Sequence, residues 1–374
     1  MKVLIVTNIP NPYRLPLFNE LNNELKRLGH QLKVVFGTKT LKERKFRLDD
    51  SEYSFDYSIL RSTRIKLLKK EATILSYKGL LKLVNEYSPE RIIIIGYSIG
   101  TLKLWLRSLF FKTNYIIWGG TIPTSPEANS YLRNIFRRIL IGRSRGFIAY
   151  GSKAKEYFIQ LGAKSSKVQI AINTVDTSFF EHETQKLRKK NEKSDNKKHL
   201  TYLGYLNARK NVSKLLNVVE ELNKHRSDFV FDIIGDGPQR EELIGISKEK
   251  GLEDIIRFHG FIQKAELPQY LAISDVFLFQ TDFDIWGLVL NEAMAAGLTC
   301  LSSIHAGATY DLIKENKTGF AVDFENVNMV VDKINYVLDN QHQAKSIAEN
   351  AQKYISEKVN IKESVKGFVA SLDD

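Results

Sequence analysis

Short runs of β-branched and large apolar residues alternate along the chain with longer stretches whose apolar positions recur every three or four residues. In the first half, Val3–Val6, Leu32–Phe36, Ile92–Ile95, Tyr115–Trp118 and Gly146–Tyr150 read as strands, and Leu15–Leu28 and Tyr77–Tyr87 as helices. After a polar break the alternation restarts. His199–Leu203, Phe229–Ile234, Ile256–Phe258, Val276–Phe279, Thr299–Ser302 and Phe320–Val322 read as strands, separated by helices such as Val212–Leu222 and Arg240–Lys250. This pattern predicts an α/β protein with two Rossmann-like, doubly wound domains. The break, residues 181–198, is charged and poor in apolar residues and is expected to be an interdomain linker between domains at 1–180 and 199–360. Residues 39–60, densely charged from Lys39 to Asp50, are expected to form an irregular or hairpin insertion.

Composition narrows the class. The chain has 374 residues, 43% hydrophobic and 26% charged, which suits an ordinary soluble protein of two cores. The single cysteine, Cys300, excludes an intramolecular disulfide framework and a cysteine metal cluster, and fits a reducing compartment. The apolar run Met1–Thr7 ends at once in Asn8-Ile9-Pro10-Asn11-Pro12, so it reads as a first strand and is too short for a signal peptide. Arg91–Phe111 is interrupted by Lys103 and Arg107 and broken by Gly96, Ser98 and Gly100, so no transmembrane span is expected.

Charge is distributed unevenly. The net charge is +12, with +20 on residues 1–200 and −8 on residues 201–374. Two cationic stretches, Arg61–Lys70 and Tyr131–Arg143, lie in the basic half, and the second alternates apolar residues and arginines at helical spacing. A core-facing helix with a solvated basic side would look the same, and nucleic-acid binding is a third option. No recognised nucleic-acid motif accompanies the charge. The expectation is therefore peripheral, salt-sensitive association with an anionic membrane surface, on its cytoplasmic face, and no nucleic-acid partner.

In doubly wound sheets ligands bind at the carboxyl ends of strands. The first such loop, Thr7–Arg14, lacks G-x-G-x-x-G, which weakens a nicotinamide-dehydrogenase reading. It holds Tyr13 and Arg14, and Arg14 is either solvated or a seat for an anionic acceptor or phosphate. Gly119, Gly120 and Thr121 follow another strand, where paired glycines mean either close approach to a ligand or a tight turn. In the second half, Gly204–Asn211 and Gly235–Pro238 each precede a helix. Arg209 offers a fork and Lys210 a mobile point charge, both suited to a diphosphate. Asp284–Gly297 runs from a loop into a helix starting near Gly287. The backbone N–H groups of Trp286, Gly287, Leu288 and Val289 would be orphan donors for a phosphate, with Asp284 before the helix and Glu292 about a turn inside it. The plain alternative is an Asp N-cap on an amphipathic helix.

Taken together and in order, Gly204–Asn211, Ile234–Pro238, Phe258–Ile262 and Asp284–Gly297 resemble the C-terminal domain of family 4 retaining glycosyltransferases of the GT-B fold. The upstream Ile172–Asp176 looks like that family's Asn-x-x-Asp segment. The resemblance is most specific over residues 173–322. It implies a nucleotide-sugar donor, UDP- or GDP-linked, and a saccharide or lipid-linked acceptor. No cofactor beyond that donor is expected, and no metal, because fixed cations and a helix N-terminus can meet the diphosphate charge. The resemblance also implies a final helix from about Ile361 that crosses back to the first domain. Asp284 matches the first carboxylate of the family's E-x7-E motif, toward the sugar hydroxyls, and Glu292 the second, toward the ribose. Lys210 matches the diphosphate lysine, the Trp286–Val289 backbone would meet the same group, and Gly260, Phe261 and Ile262 match the base-binding loop. Tyr13, Arg14, Gly119, Gly120 and Thr121 would lie on the acceptor side. Three features depart from the pattern: Asp284 stands for a Glu; Tyr205, after Gly204, stands for an Arg whose candidate replacement is Arg209; and no His lies near Trp118–Thr121, where the family often has one. A GT-B sugar-nucleotide epimerase and a non-catalytic nucleotide-sugar or membrane-binding homologue are the alternatives.

Overall fold

Strand β1 (Lys2–Thr7) buries every residue after Lys2, so both of its faces are covered, as expected of a central parallel strand. The computed structural model describes residues 1–39, 50–66, 73–190 and 196–373. These divide into two units, Met1–Val175 with Ile361–Asp374, and Asp176–Asn360.

In the first unit β1 is followed by α1 (Leu15–Arg27), β2 (Gln31–Phe36), β3 (Asp56–Ile59) and a hairpin of β4 (Arg64–Lys66) and β5 (Thr73–Leu75). Then come α2 (Leu80–Tyr87), β6 (Arg91–Ile95), α3 (Ile99–Ser108), β7 (Tyr115–Gly119), α4 (Tyr131–Gly142), β8 (Gly146–Ala149), α5 (Ser152–Gln160) and β9 (Val168–Ile170). The seven-stranded sheet has the order β3-β2-β1-β6-β7-β8-β9, and its pairs are parallel. The order reverses at β1, and the loop Thr7–Arg14 emerges at that switch point.

The second unit begins with α6 (Thr177–Lys190) and continues β10 (Lys198–Leu203), α7 (Ser213–Asn223), β11 (Phe229–Ile234), α8 (Arg240–Glu249), β12 (Ile256–Gly260) and α9 (Leu267–Ile273). It is completed by β13 (Val276–Phe279), α10 (Leu288–Ala295), β14 (Thr299–Ser303), α11 (Gly307–Leu312), β15 (Phe320–Val322), α12 (Val327–Asp339) and α13 (Gln341–Lys358). Its parallel sheet runs β12-β11-β10-β13-β14-β15, with the switch point between β10 and β13. A buried core of Leu200, Tyr202, Phe229, Phe231, Leu278 and Leu301 with α7 and α12 side chains lies against it. Helix α14 (Ile361–Asp373) packs in the first unit on α1, β8 and β9. Phe368 meets Trp118 edge-on at 4.9 Å, and Arg91 Nε donates to the Leu372 carbonyl at 3.0 Å.

Three expectations need correction. The supposed linker starts as helix: Asp176 Oδ1 accepts from the Phe179 N–H, Phe180 is buried, and Arg188 donates to the Leu271 and Ala272 carbonyls. A narrow apolar stripe suffices there because the rest of α6 faces water, so the boundary falls after Val175 rather than near residue 180; residues 191–195 lie outside the described part. Asp56–Ile59 is an edge strand parallel to β2, not part of an irregular insertion, while residues 40–49 lie outside the described part. Helix α2 starts at Leu80 rather than Tyr77, because Tyr77 (φ 47°) and Gly79 (φ 84°) are left-handed. No helix among the described residues is long and apolar enough to cross a membrane.

The seating of α14 gives a stability prediction. A Cβ on Gly367 would lie 2.3 Å from the Ile170 carbonyl oxygen, which is backbone and cannot swing away. Gly367→Ala is expected to cost about 1–3 kcal/mol through overpacking, measured as a lower denaturation midpoint; an unchanged midpoint would show that α14 is not held against β9.

Candidate functional site

At the carboxyl edge of the second sheet, three loops are joined backbone to backbone. The Gly204 N–H donates to the Ile234 carbonyl, Leu206 to Asp236 and Gly235 to Gly260, at 2.9–3.0 Å. The close approach demands glycine: a Cβ on Gly235 (φ 148°) would lie 1.8 Å from the Gly204 carbonyl oxygen, and one on Gly237 2.2 Å from that of Leu206. The predicted phosphate loops and the Gly260–Ile262 loop therefore share one edge. Phe261 and Tyr205 are exposed there, and Ile262 is half-buried.

Across the switch point, Lys210 Nζ donates to Asp284 Oδ2 at 2.6 Å, and Arg209 NH1 lies 3.2 Å from the same oxygen. Lys210 is buried over the Phe279 ring, whereas Arg209 is more open and also donates to the Phe283 carbonyl at 2.6 Å. Burial opposes the charge on Asp284, but Lys210 and Arg209 outweigh it and hold the carboxyl below its ordinary value. Removing one partner of such a pair costs about 3–5 kcal/mol because the other charge is stranded.

Helix α10 starts after Gly287, which is left-handed at φ 108° and sits where a Cβ would meet the Phe279 ring at 2.2 Å. The expectation of four free amides is corrected here. Asp284 Oδ1 accepts from the Trp286 N–H at 3.2 Å in a local turn, and the Trp286 ring is buried with Nε1 bonded to Asn291. Gly287, Leu288 and Val289 keep amides that meet no acceptor among the described residues. One turn on, Glu292 is half-buried and its carboxylate forms no hydrogen bond or ion pair among the described residues. Burial pushes its carboxyl up to about 7, against an opposing pull from Lys264. The edge thus offers two cations, a row of amides and a recessed carboxylate seeking donors, an arrangement that can hold a diphosphate beside vicinal hydroxyls.

Two features were not read from the sequence. Lys264, stacked over Phe179 at 4.9 Å, supplies the charge nearest in effect to Glu292. Asp232 on β11 lies 2.8 Å from His199 Nδ1 on β10 and 2.6 Å from His259 Nε2 on β12. Burial would raise the Asp232 carboxyl, but the two histidines win and hold it at about 2. The β11–β12 register shifts after Ile233↔Phe258 so that Ile234 faces Gly260. His259 occupies that bulge, immediately before the Gly260–Ile262 loop, and the Asp232 contact fixes it. Residues from three strands make this cluster, and only sheet register brings them together.

In the first unit, taken by itself, the structure gathers Tyr13, Arg14 and Gly120. The Arg14 guanidinium lies 5.4 Å from the Tyr13 ring centroid, 4.2 Å from Trp118 and 5.0 Å from Tyr150. Arg14 NH2 donates to the Tyr150 hydroxyl at 2.8 Å, and a Cβ on Gly120 would lie 2.2 Å from the Tyr150 ring. Gly119 ends β7 against Phe158, and Thr121 is half-exposed.

Known proteins share this architecture. Anabaena Alr3699/HepE in complex with UDP superposes with a TM-score of 0.78 at 18% identity, covering 100% of both chains. Among sequence relatives, N-acetyl-alpha-D-glucosaminyl L-malate synthase of Bacillus anthracis is 25% identical over 56% of this chain and 54% of its own. The GDP-mannose-dependent alpha-(1-6)-phosphatidylinositol monomannoside mannosyltransferase of Mycobacterium tuberculosis is 27% identical over 41% of this chain and 42% of its own. The chain spans about half the length of the curated relatives it matches. Residues 183–354, which carry the three joined loops, Lys210, Asp284 and Glu292, match the family model of glycosyl transferases, group 1.

Proposed function

We propose that the chain is a retaining glycosyltransferase of the family 4, GT-B type that moves a sugar from a UDP- or GDP-linked donor to an acceptor, in the assembly of a cell-surface polysaccharide or glycolipid. The observation that carries this reading is the opposite treatment of two carboxylates bracketing the start of α10: Asp284 is held ionised between Lys210 and Arg209, and Glu292 is recessed and unpaired. Asp284 would receive sugar hydroxyls and Glu292 the ribose, while Lys210, Arg209 and the Gly287, Leu288 and Val289 amides take the diphosphate. The Gly260–Ile262 loop would take the base. The C1–O bond to the diphosphate breaks while the acceptor oxygen bonds C1 on the same face, and the acceptor proton passes to the leaving phosphate oxygen. The protein's part is electrostatic: the negative charge growing on the leaving group meets fixed cations and amides. No cofactor beyond the nucleotide sugar, and no metal, is part of this reading.

A lipid-linked acceptor at a membrane surface fits the basic first unit. Helix α4 buries Arg137, Leu140 and Ile141 and leaves Tyr131, Leu132, Ile135, Phe136 and Ile139 exposed beside Arg133 and Arg138. Arg143 ties the end of α4 to α3 by donating to the Ser108 carbonyl at 2.9 Å. There Phe110 and Phe111, 80% and 63% exposed, extend the same surface next to Lys112. Aromatic and aliphatic side chains interleaved with cations suit an anionic interface, peripherally and on the cytoplasmic side.

Three outcomes test this. UDP or GDP at about 100 times its Kd should stabilise the protein by about 2.7 kcal/mol, followed by transfer to a lipid-linked acceptor from one matching nucleotide sugar; no response to any nucleotide or nucleotide sugar would remove the donor assignment. Lys210→Ala should lower the transfer rate by roughly 10²–10³-fold, the usual loss for a charge-stabilising group, in protein still able to bind nucleotide. Glu292 carries a pH signature. Its folded carboxyl is raised from 4.5 to about 7, so the fold binds the extra proton and its stability contribution is lost as pH rises through about 7. Glu292→Gln should flatten that part of the stability profile and raise the midpoint above pH 7, while weakening nucleotide binding at least tenfold.

For the membrane arm, phosphatidylglycerol vesicles should co-sediment with the protein at low salt and release it at high salt, and Phe110→Ser with Phe111→Ser should reduce binding. Equal binding to neutral vesicles would overturn the electrostatic part.

A further inference from the structure

Among its described residues the first unit buries two arginines, and they are treated differently. Arg137 is furnished as a structural cation: it pairs with Glu127 at 3.6 Å, donates to the Glu127 carbonyl at 3.2 Å, and also bonds the Tyr157 hydroxyl. Arg14 is 7% exposed, yet its side chain makes a single hydrogen bond, to Tyr150, and no carboxylate lies within ion-pair distance among the described residues. Three aromatic rings surround it, with Trp118 nearest. Ring faces compensate part of the burial of a cation, but they accept no hydrogen bonds of ordinary strength from its remaining N–H groups.

The neighbours are short of acceptors too. Trp118 Nε1 is buried with no partner. The Tyr150 hydroxyl accepts from Arg14, so its own proton is left to donate; burial, opposed by the Arg14 charge, pushes the Tyr150 pKa up and keeps that proton on. A buried cation and two buried donor groups without acceptors form an incomplete polar cluster, and such a cluster is expensive unless something supplies oxygen atoms. Gly120 brings backbone onto the Tyr150 ring, so the cluster sits where the loops after β1, β7 and β8 converge, at the carboxyl edge of the sheet.

We propose that Arg14, Tyr150 and Trp118 form an oxyanion subsite that takes a phosphate or carboxylate group of the acceptor, the guanidinium fork binding its oxygens and the aromatic rings fixing the fork. The identity of the ligand as an acceptor rests on the transferase reading, whereas the existence of the site does not. Tyr150 is a positioning residue in this scheme and Arg14 the binding one.

The experiment uses the full chain with UDP held saturating, so that a donor-type diphosphate site is filled and added anion reports elsewhere. Methyl phosphate and, separately, lactate are titrated while tryptophan fluorescence and the denaturation midpoint are followed; the two arms distinguish phosphate from carboxylate. Wild type is expected to give a saturable response to at least one of them. Arg14→Met should raise the apparent Kd at least tenfold, Arg14→Lys less, with the UDP Kd unchanged in both. Trp118→Phe should remove the fluorescence change but keep the thermal shift. In transfer assays Arg14→Lys should raise the acceptor KM with little change in kcat. A wild-type protein with no saturable response to either anion, or an Arg14→Met protein that binds as wild type does, overturns the subsite. If Arg14→Met does not fold, Tyr150→Phe decides: it keeps the ring and loses the hydrogen bond, so weaker anion binding supports the scheme and unchanged binding overturns it. Failure of UDP to bind, with anion binding still dependent on Arg14, would remove the transferase reading and leave the subsite standing.

Discussion

The loop edge of the second unit depends on one buried contact, the 2.6 Å pair of Lys210 and Asp284. It bridges the loop after β10 and the loop after β13 at the switch point of the second sheet, where the strand order leaves a crevice. Two charges withdrawn from water are costly even when paired, and hydrophobic residues of similar volume would hold these loops as well or better. Joining loops is therefore not reason enough for the pair, and the ligand role proposed above gives it one. Asp284 also spends its second oxygen on the Trp286 N–H, which turns the chain so that Gly287 can press against Phe279 and α10 can begin with its next amides open. Loop joining, helix orientation and charge placement follow from the same side chain.

The two acidic residues show how environment assigns roles to identical chemistry. Asp284 lies between cations and stays ionised, whereas Glu292 lies in a recess where burial is the largest influence and its carboxyl rises to about 7. A carboxylate that carries its charge at a cost and has no protein donor gains most from ligand hydroxyls. The same logic separates Asp232, whose two histidine partners lower it to about 2, from Glu292: the first is satisfied by the protein and holds a loop, the second is left for something else.

Much of this was legible in the sequence, for local reasons. The strands of both sheets are apolar runs, and their alternation with helical periodicity specifies a doubly wound arrangement. The packing of these loops on one another was legible because close backbone approach requires glycine at fixed positions, as at Gly235 against Gly204 and Gly237 against Leu206. Failures occurred where the deciding contact was distant or thin. Helix α6 is anchored by a narrow stripe around Phe180 and by Arg188 on two carbonyls, so its composition resembles a linker. The Trp286 amide is taken by Asp284 two residues before it, the kind of local turn that the Asp N-cap alternative allowed and that composition did not decide. His199, Asp232 and His259 are brought together by register and a bulge across three strands, which periodicity cannot supply.

Charge patterning posed the hardest ambiguity, because arginine has one letter and several fates. Arg137 lies in the most cationic helix of the basic half and reads as part of a solvated face, yet it is buried and paired. Its burial turns apolar residues of α4 outward, so the exposed side of that helix is mixed rather than purely basic. Arg14 reads from the sequence as a loop residue, either solvated or a seat for an anion, and it is enclosed by three rings with most of its donors unmatched. Net charge thus locates a tendency of the first unit but not a site. The site is marked by the mismatch between how thoroughly a charge is buried and how poorly it is paired, a quantity that exists only once the chain has folded.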